Sequence, residues 1–170
     1  MKKTTKKGMK KAIGFAPLCA AALGLIAIIM LFVPSVMAGE TLFNGFQVAF
    51  GYAETSEFIG STISTTILEF SFMNLLPYLL VLAGIVLLLL NAKKANNLFA
   101  LIAAACLIAA GVLFFFAVSF TMVNADWAGV AGAIGANLKE GWTLGAGAII
   151  AAICALLGGV AALVPIVLKK

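Results

Sequence analysis

The chain has 170 residues, of which 64% are hydrophobic and only 10% charged, and its mean hydropathy is +1.20. A soluble domain keeps roughly a quarter of its residues charged, so too few polar groups remain to cover a water-facing surface, and much of the exterior must meet lipid. All of the basic charge is lysine, with no arginine and no histidine anywhere.

Residues 1–11 form a basic tail carrying Lys2, Lys3, Lys6, Lys7, Lys10 and Lys11. An apolar run over 12–33 follows, the first of four runs free of Lys, Arg, Asp and Glu in their interiors; the others are 70–92, 97–121 and 142–168. Each exceeds the roughly 20 residues that a helix needs to cross about 30 Å of hydrocarbon. Within lipid the backbone must satisfy its own hydrogen bonds, which leaves helices or a closed barrel. Stretches such as LLPYLLVLAGIVLLLL lack the alternation of barrel strands, so the expected fold is an all-α membrane protein, a bundle of four transmembrane helices forming one integral membrane domain. The basic start and the Val36-Met37-Ala38 sequence also resemble a secretory signal with its cleavage site. Such signals have an apolar region of about 7–15 residues, shorter than the run here, so the first span is expected to be retained. Cleavage would leave three spans in the same orientation.

The first inter-span segment, 34–69, holds two stretches of strand-like composition, Thr41 to Tyr52 and Ser61 to Phe72, joined by the polar AETSEFIG. Their β-branched and aromatic residues favour a pleated structure, so a small hairpin or sheet over the mouth of the bundle is expected. Phe43, Phe46, Phe50 and Tyr52 fall close together in the first stretch. They could fill a small core, lie in the membrane interface or face a partner, and they are the candidate partner-facing residues. A short turn over 93–96 contains Lys93 and Lys94. The second inter-span segment, 122–141, carries Asp126, Lys139, Glu140 and the small-residue stretch AGVAGAIGA, bracketed by Trp127 and Trp142 as in an interfacial aromatic belt. That stretch is expected as a short interfacial helix or an extension of span four. Span four then presents Gly147, Ala151, Ala155 and Gly159 at four-residue spacing. A face of small residues lets membrane helices approach closely, so these four are read as helix-packing positions, within the bundle or between copies. Ala100, Ala103, Ala104 and Ala110 offer a counterpart in span three.

Charge fixes the expected orientation. Ten lysines lie on one side, including Lys169 and Lys170 at the end, while Lys139 and all six acids (Glu40, Glu54, Glu57, Glu69, Asp126, Glu140) lie on the other. The two faces therefore carry +10 and −5, and the positive-inside rule places both termini in the cytoplasm of a multi-pass cell-membrane protein. The basic face would also attract anionic lipid. A lysine-only basic set has a bacterial rather than animal cast.

Chemistry-bearing patterns are missing. No charged side chain sits well inside a span, whereas proton relays and intramembrane catalytic centres need such groups. Glu69, just outside span two, reads as a water-exposed carboxylate. Cys19, Cys106 and Cys154 all fall within spans and read as small buried packing residues. Without histidine they cannot complete a zinc site. No enzyme activity, cofactor, metal or nucleic-acid partner is expected.

Four spans, a larger strand-bearing first external segment, a smaller second one and both termini inside resemble the claudin-type plan. The resemblance covers the architecture of the whole chain and implies a helical bundle with a small external sheet. That family's first external segment carries a W…GLW…C…C pattern, where this chain has Phe43-Asn44-Gly45-Phe46 and neither cysteine. The family's barrier function is therefore not carried over. The expected function is a non-catalytic scaffold or accessory subunit that binds other proteins through its external loops and small-residue faces. The alternative is an oligomeric channel or facilitator for a small neutral solute, for which Ser71, Asn74 and Ser119 are the polar candidates.

Overall fold

A computed structural model describes residues 2–58, 61–94, 97–126, 128–129 and 139–168. Trp127, most of the AGVAGAIGA stretch and the terminal Lys169 and Lys170 lie outside the described residues.

Four helices are long and apolar enough to cross a membrane. They are α1 (Lys2–Ile29), α3 (Phe72–Lys94), α4 (Asn97–Phe114) and α6 (Ala146–Leu168), the last following a short α5 (Ala117–Phe120). The basic tail belongs to α1 rather than standing apart from it. A 3₁₀ turn, Met30–Phe32, ends the first span, and Pro34, which has no N–H to continue a helix, follows it. Span three is interrupted where it was expected to run on to Thr121. The N–H groups of Phe115 and Phe116 bond back only three residues, to Val112 and Leu113, and α5 restarts the helix.

The four long helices form a closed ring in the order α1, α6, α4, α3, each packed on its two neighbours. Their shared core is rich in small side chains, with Ala20, Ala27, Ala103, Ala110, Ala151, Ala152, Ala155 and Ala162 fully buried around Val81, Leu88, Leu107 and Phe114. With no hydrophobic drive between helices in lipid, close backbone approach and van der Waals packing hold such a bundle. At the α4–α6 crossing, a Cβ on Gly159 would lie 2.6 Å from the Ile108 side chain and 3.2 Å from the Ala104 carbonyl. Ala151, Ala155 and Gly159 of the small-residue face thus lie within the chain's own bundle, while Gly147 lies against the backbone of Val33 and Pro34. The opposite helix faces carry exposed Leu79, Leu82, Val86, Ile153, Leu157 and Val160, the apolar surface that lipid would cover.

One expectation inside the bundle fails. Cys19 is exposed, and Cys106 and Cys154 are only half-buried. The buried stripe of α1 is Ala20, Ala21, Gly24 and Ala27, at helical spacing, and Cys19 sits beside it on the outward face.

At the end away from Lys94, two three-stranded antiparallel sheets cap the ring. The first has the order β2 (Thr41–Asn44), β1 (Pro34–Ala38), β6 (Trp142–Leu144). The second has the order β3 (Tyr52–Phe58), β4 (Ser61–Glu69), β5 (Met122–Val123). A hairpin of β-strands was expected here, and its arrangement differs in three ways. Thr41 to Tyr52 is not one strand, since after Asn44 it folds into a helix, α2 (Gly45–Phe50). The AETSEFIG connection is mostly strand β3, in register with β4 from Tyr52↔Leu68 to Phe58↔Ser61. Trp142 opens a strand that pairs with Ala38 rather than opening the fourth span.

The helix has a local cause. The Asn44 side chain accepts from the Gln47 N–H at 2.8 Å, while the Asn44 N–H donates to Gln47 Oε1 at 3.0 Å. This reciprocal capping box satisfies two donors at the helix start. Gly51, at φ +95°, ends the helix in a conformation that side chains other than glycine's rarely adopt.

Candidate functional site at the cap

The capped end gathers the polar and aromatic residues that the sequence singled out, and sorts them into three environments.

The first is a knot of hydrogen bonds joining the start of α3 to the end of α5. Ser71 Oγ donates to the Phe120 carbonyl at 2.6 Å and accepts from the Asn74 N–H at 3.3 Å, capping α3. The Thr121 hydroxyl donates to the Ala117 carbonyl at 2.8 Å. Turning the Asn74 carboxamide over satisfies both of its ends, its nitrogen donating to the Ala117 carbonyl at 3.2 Å and its oxygen accepting from the Thr121 N–H at 3.1 Å. Ser71, Asn74 and Thr121 are all buried, and burial without such partners would cost about 1–3 kcal/mol per group. Two of the three polar candidates for a solute path are therefore consumed in joining helices. The third, Ser119, is exposed, and its carbonyl accepts from Lys139 Nζ at 3.3 Å. Glu69 is exposed as expected, and its carboxylate accepts from Asn124 Nδ2 at 3.1 Å.

Beside this knot lies a cleft lined by Ser35, Gly45, Asn74, Tyr78, Phe114 and Ala148. The Tyr78 ring packs edge-on against Phe114 at 4.8 Å, and its hydroxyl hydrogen-bonds the Ser35 side chain. The space left for the centre of a water molecule is about 10 Å³, room for roughly one water. Sites for metabolite-sized ligands run to several hundred Å³, so this cleft has room for hydration but not for a metabolite-sized ligand.

The second environment is the aromatic core of the cap. Phe43 is buried, with its ring 5.8 Å from Tyr52 in an edge-on arrangement and 6.1 Å from Trp142. It packs with Val36, Val48, Leu68, Ala117 and Ala148, tying both sheets to the tops of α5 and α6. Tyr52 is half-buried at its edge. Of the four candidate partner-facing aromatics, only Phe46 and Phe50 stand open, each 46% exposed. Their rings are 4.6 Å apart, and Phe50 reaches Phe70 at 6.3 Å, so three phenylalanines form one exposed ledge.

The third is a ribbon whose first strand, β3, occupies the stretch expected as a connection, while β4 falls in the stretch expected as strand. Ala53, Glu54 and Thr55 of β3 are exposed in succession, as are Ser64, Thr65 and Thr66 of β4. Successive strand residues point to opposite faces, so both faces of the ribbon are open. The third strand, β5, supports β4 only at Leu68 and Glu69. Among the described residues, no three His, Cys, Asp or Glu side chains converge on a point that could hold a metal.

A buried asparagine escaped the sequence reading altogether. Asn91, at the lysine end of α3, is 8% exposed, and its side-chain oxygen has no hydrogen-bond partner among the described residues. Its position at the edge of an apolar run gave no sign that it would turn inward.

Comparisons with known protein families, with curated proteins and with solved structures find no match.

Proposed function

We propose that this chain is a non-catalytic, multi-pass membrane protein that serves as a scaffold or accessory subunit, and that the β3–β4 ribbon is its docking element for another protein. The observation that carries this reading is the ribbon's exposure on both faces over residues 53–55 and 64–66. An isolated two-stranded hairpin is marginal in water. A strand edge with free N–H and C=O groups is a template for another strand, and proteins that avoid such pairing place lysine or proline there. From Tyr52 to Glu69 this chain has neither residue. Its serines and threonines suit strand addition, in which main-chain bonds give affinity and alternate side chains give selectivity.

The transmembrane ring supports the same reading. Its interior is filled by alanines packed around Val81, Leu88, Leu107 and Phe114, and its glycines lie close against neighbouring parts of the same chain. Binding to other proteins is then left to the cap. In this proposal the capped end is extracellular and both termini are cytoplasmic, following the lysine distribution.

The test is cross-linking in native membranes. In a background with Cys19, Cys106 and Cys154 replaced by serine, single cysteines at Thr55 and Thr65 are cross-linked before gentle extraction. The reading expects one stoichiometric protein adduct, lost when Thr62→Pro interrupts the ribbon. Adducts containing only further copies of this chain would instead favour an oligomeric pore, to be checked by flux into reconstituted vesicles. No adduct at either position would remove the ribbon from consideration as a docking element.

A further inference from the structure

The depth of α2 along the bundle assigns its aromatic ledge a partner of a different kind. Gly45, at the start of α2, lies against the Tyr78 hydroxyl, while the carbonyl of Ala49, near its end, accepts from the Ser71 N–H at 2.9 Å. The short helix therefore stands alongside the first turns of α3. Tyr78 is sixteen residues from Lys94, or ~24 Å along the helix, and Ser71 is twenty-three residues away, or ~35 Å. Hydrocarbon measured from the lysine end would stop at about 30 Å. The boundary thus falls between the two ends of α2.

The chemistry at that height matches a membrane interface. Residues 45–50, Gly-Phe-Gln-Val-Ala-Phe, carry no charge. Val48 and Ala49 turn inward to the cap core, while Phe46 and Phe50 turn out. Through Phe70 the ledge continues to exposed Phe72 and Met73 at the start of α3, which is the lipid-facing surface of the span. Aromatic rings concentrate at this level of a bilayer, where a flat apolar body fits between headgroups and acyl chains.

We infer that α2 is an interfacial anchor: Phe46, Phe50 and Phe70 insert into the phospholipid headgroup–acyl boundary and fix the height of the cap above the bilayer. This rests on the chain crossing the membrane as proposed above and is independent of what the ribbon binds.

The experiment reads tryptophan depth in vesicles of phosphatidylcholine and phosphatidylglycerol. In the full chain carrying Trp127→Phe and Trp142→Phe, single tryptophans are placed at Phe46, Phe50, Val86 and Thr65. Each is quenched in turn by nitroxide lipids labelled at the headgroup or deep in the acyl chain, and by aqueous iodide. Val86, exposed near the middle of α3, should lose most of its emission to the deep label. Thr65 should be quenched only by iodide. The anchor predicts that Phe46→Trp and Phe50→Trp emit at shorter wavelength than Thr65→Trp and lose emission to the shallow label, with iodide ineffective. Quenching by iodide alone at both ledge positions, with Val86→Trp still quenched from within, would overturn the anchor and leave the spanning reading intact. If Val86→Trp also escapes lipid quenching, the spanning reading fails. Lipid quenching that appears only after dilution of protein into excess lipid would show a second copy covering the ledge, again overturning the anchor. Phe70→Trp provides an independent reading should either α2 variant fail to fold.

Discussion

The contact between Gly45 and Tyr78 holds α2 and its ledge in place, and a double-mutant cycle tests it. A Cβ on Gly45 would collide with the Tyr78 hydroxyl, and would also lie 3.0 Å from Ser35 Oγ and 3.1 Å from the Leu31 carbonyl. Forcing one extra carbon into a packed site costs about 1–3 kcal/mol. Three neighbours converge here and one is backbone, so Gly45→Ala should cost about 2–3 kcal/mol, near the upper end of that range. Tyr78→Phe removes the hydroxyl and its bond to Ser35 while leaving the ring on Phe114, a loss of about 1 kcal/mol. The double variant frees the volume that the new methyl needs. Its cost should fall short of the sum of the single changes by about 1–2 kcal/mol, within the range measured for residues in contact. The assay is reversible unfolding in mixed micelles, following near-ultraviolet circular dichroism for all four proteins. Additive costs would refute the reasoning, because they would mean that the hydroxyl is not what occupies the space over Gly45.

Three further outcomes follow from the same geometry. Gly147→Ala should be among the most damaging single-methyl additions in the bundle, costing about 3 kcal/mol, because its Cβ would meet the Val33 and Pro34 carbonyls at 2.6 and 2.8 Å; Gly129→Ala, with nothing within 4 Å among the described residues, should leave the stability within about 0.5 kcal/mol of the parent. Asn91→Leu keeps the branched shape but removes a buried oxygen that has no partner among the described residues, so it should stabilise the protein by about 1 kcal/mol in the same unfolding assay, and a loss of stability would show that the carboxamide is used. Asn44→Ala should cost about 1 kcal/mol and speed hydrogen exchange at the Gln47 amide, whose acceptor it removes.

Much of the architecture is legible along the chain. Four apolar runs, each long enough to cross the hydrocarbon core, specify four helices through the backbone's need to bond to itself in lipid. The lysines at their ends mark one end of the bundle. Gly147, Ala151, Ala155 and Gly159 recur at four-residue spacing, and all four positions are buried. Even α2 had a written signal, since Asn44 and Gln47 stand three apart as a capping box requires; the aromatic and β-branched residues around them outweighed it as strand formers.

What the sequence could not settle is which neighbour each residue meets. Phe43 and Phe46 are the same residue type three positions apart, yet one fills the cap core and the other stands open. The difference arises because β2 pairs with β1, turning Phe43 over Ala148, while the chain then winds into a helix that presents Phe46 outward. Cys19 and Ala20 are adjacent, and only the angle at which α1 meets α6 and α3 decides which of them is buried. Asn74 is a polar residue in an apolar run, a candidate for solute contact until α5 brings the Ala117 carbonyl and the Thr121 N–H, at its two ends, within reach of its side chain. Local composition sets the helices because their hydrogen bonds are local. The cap depends on pairings between residues tens of positions apart, and those are decided only when the four helices have brought their ends together.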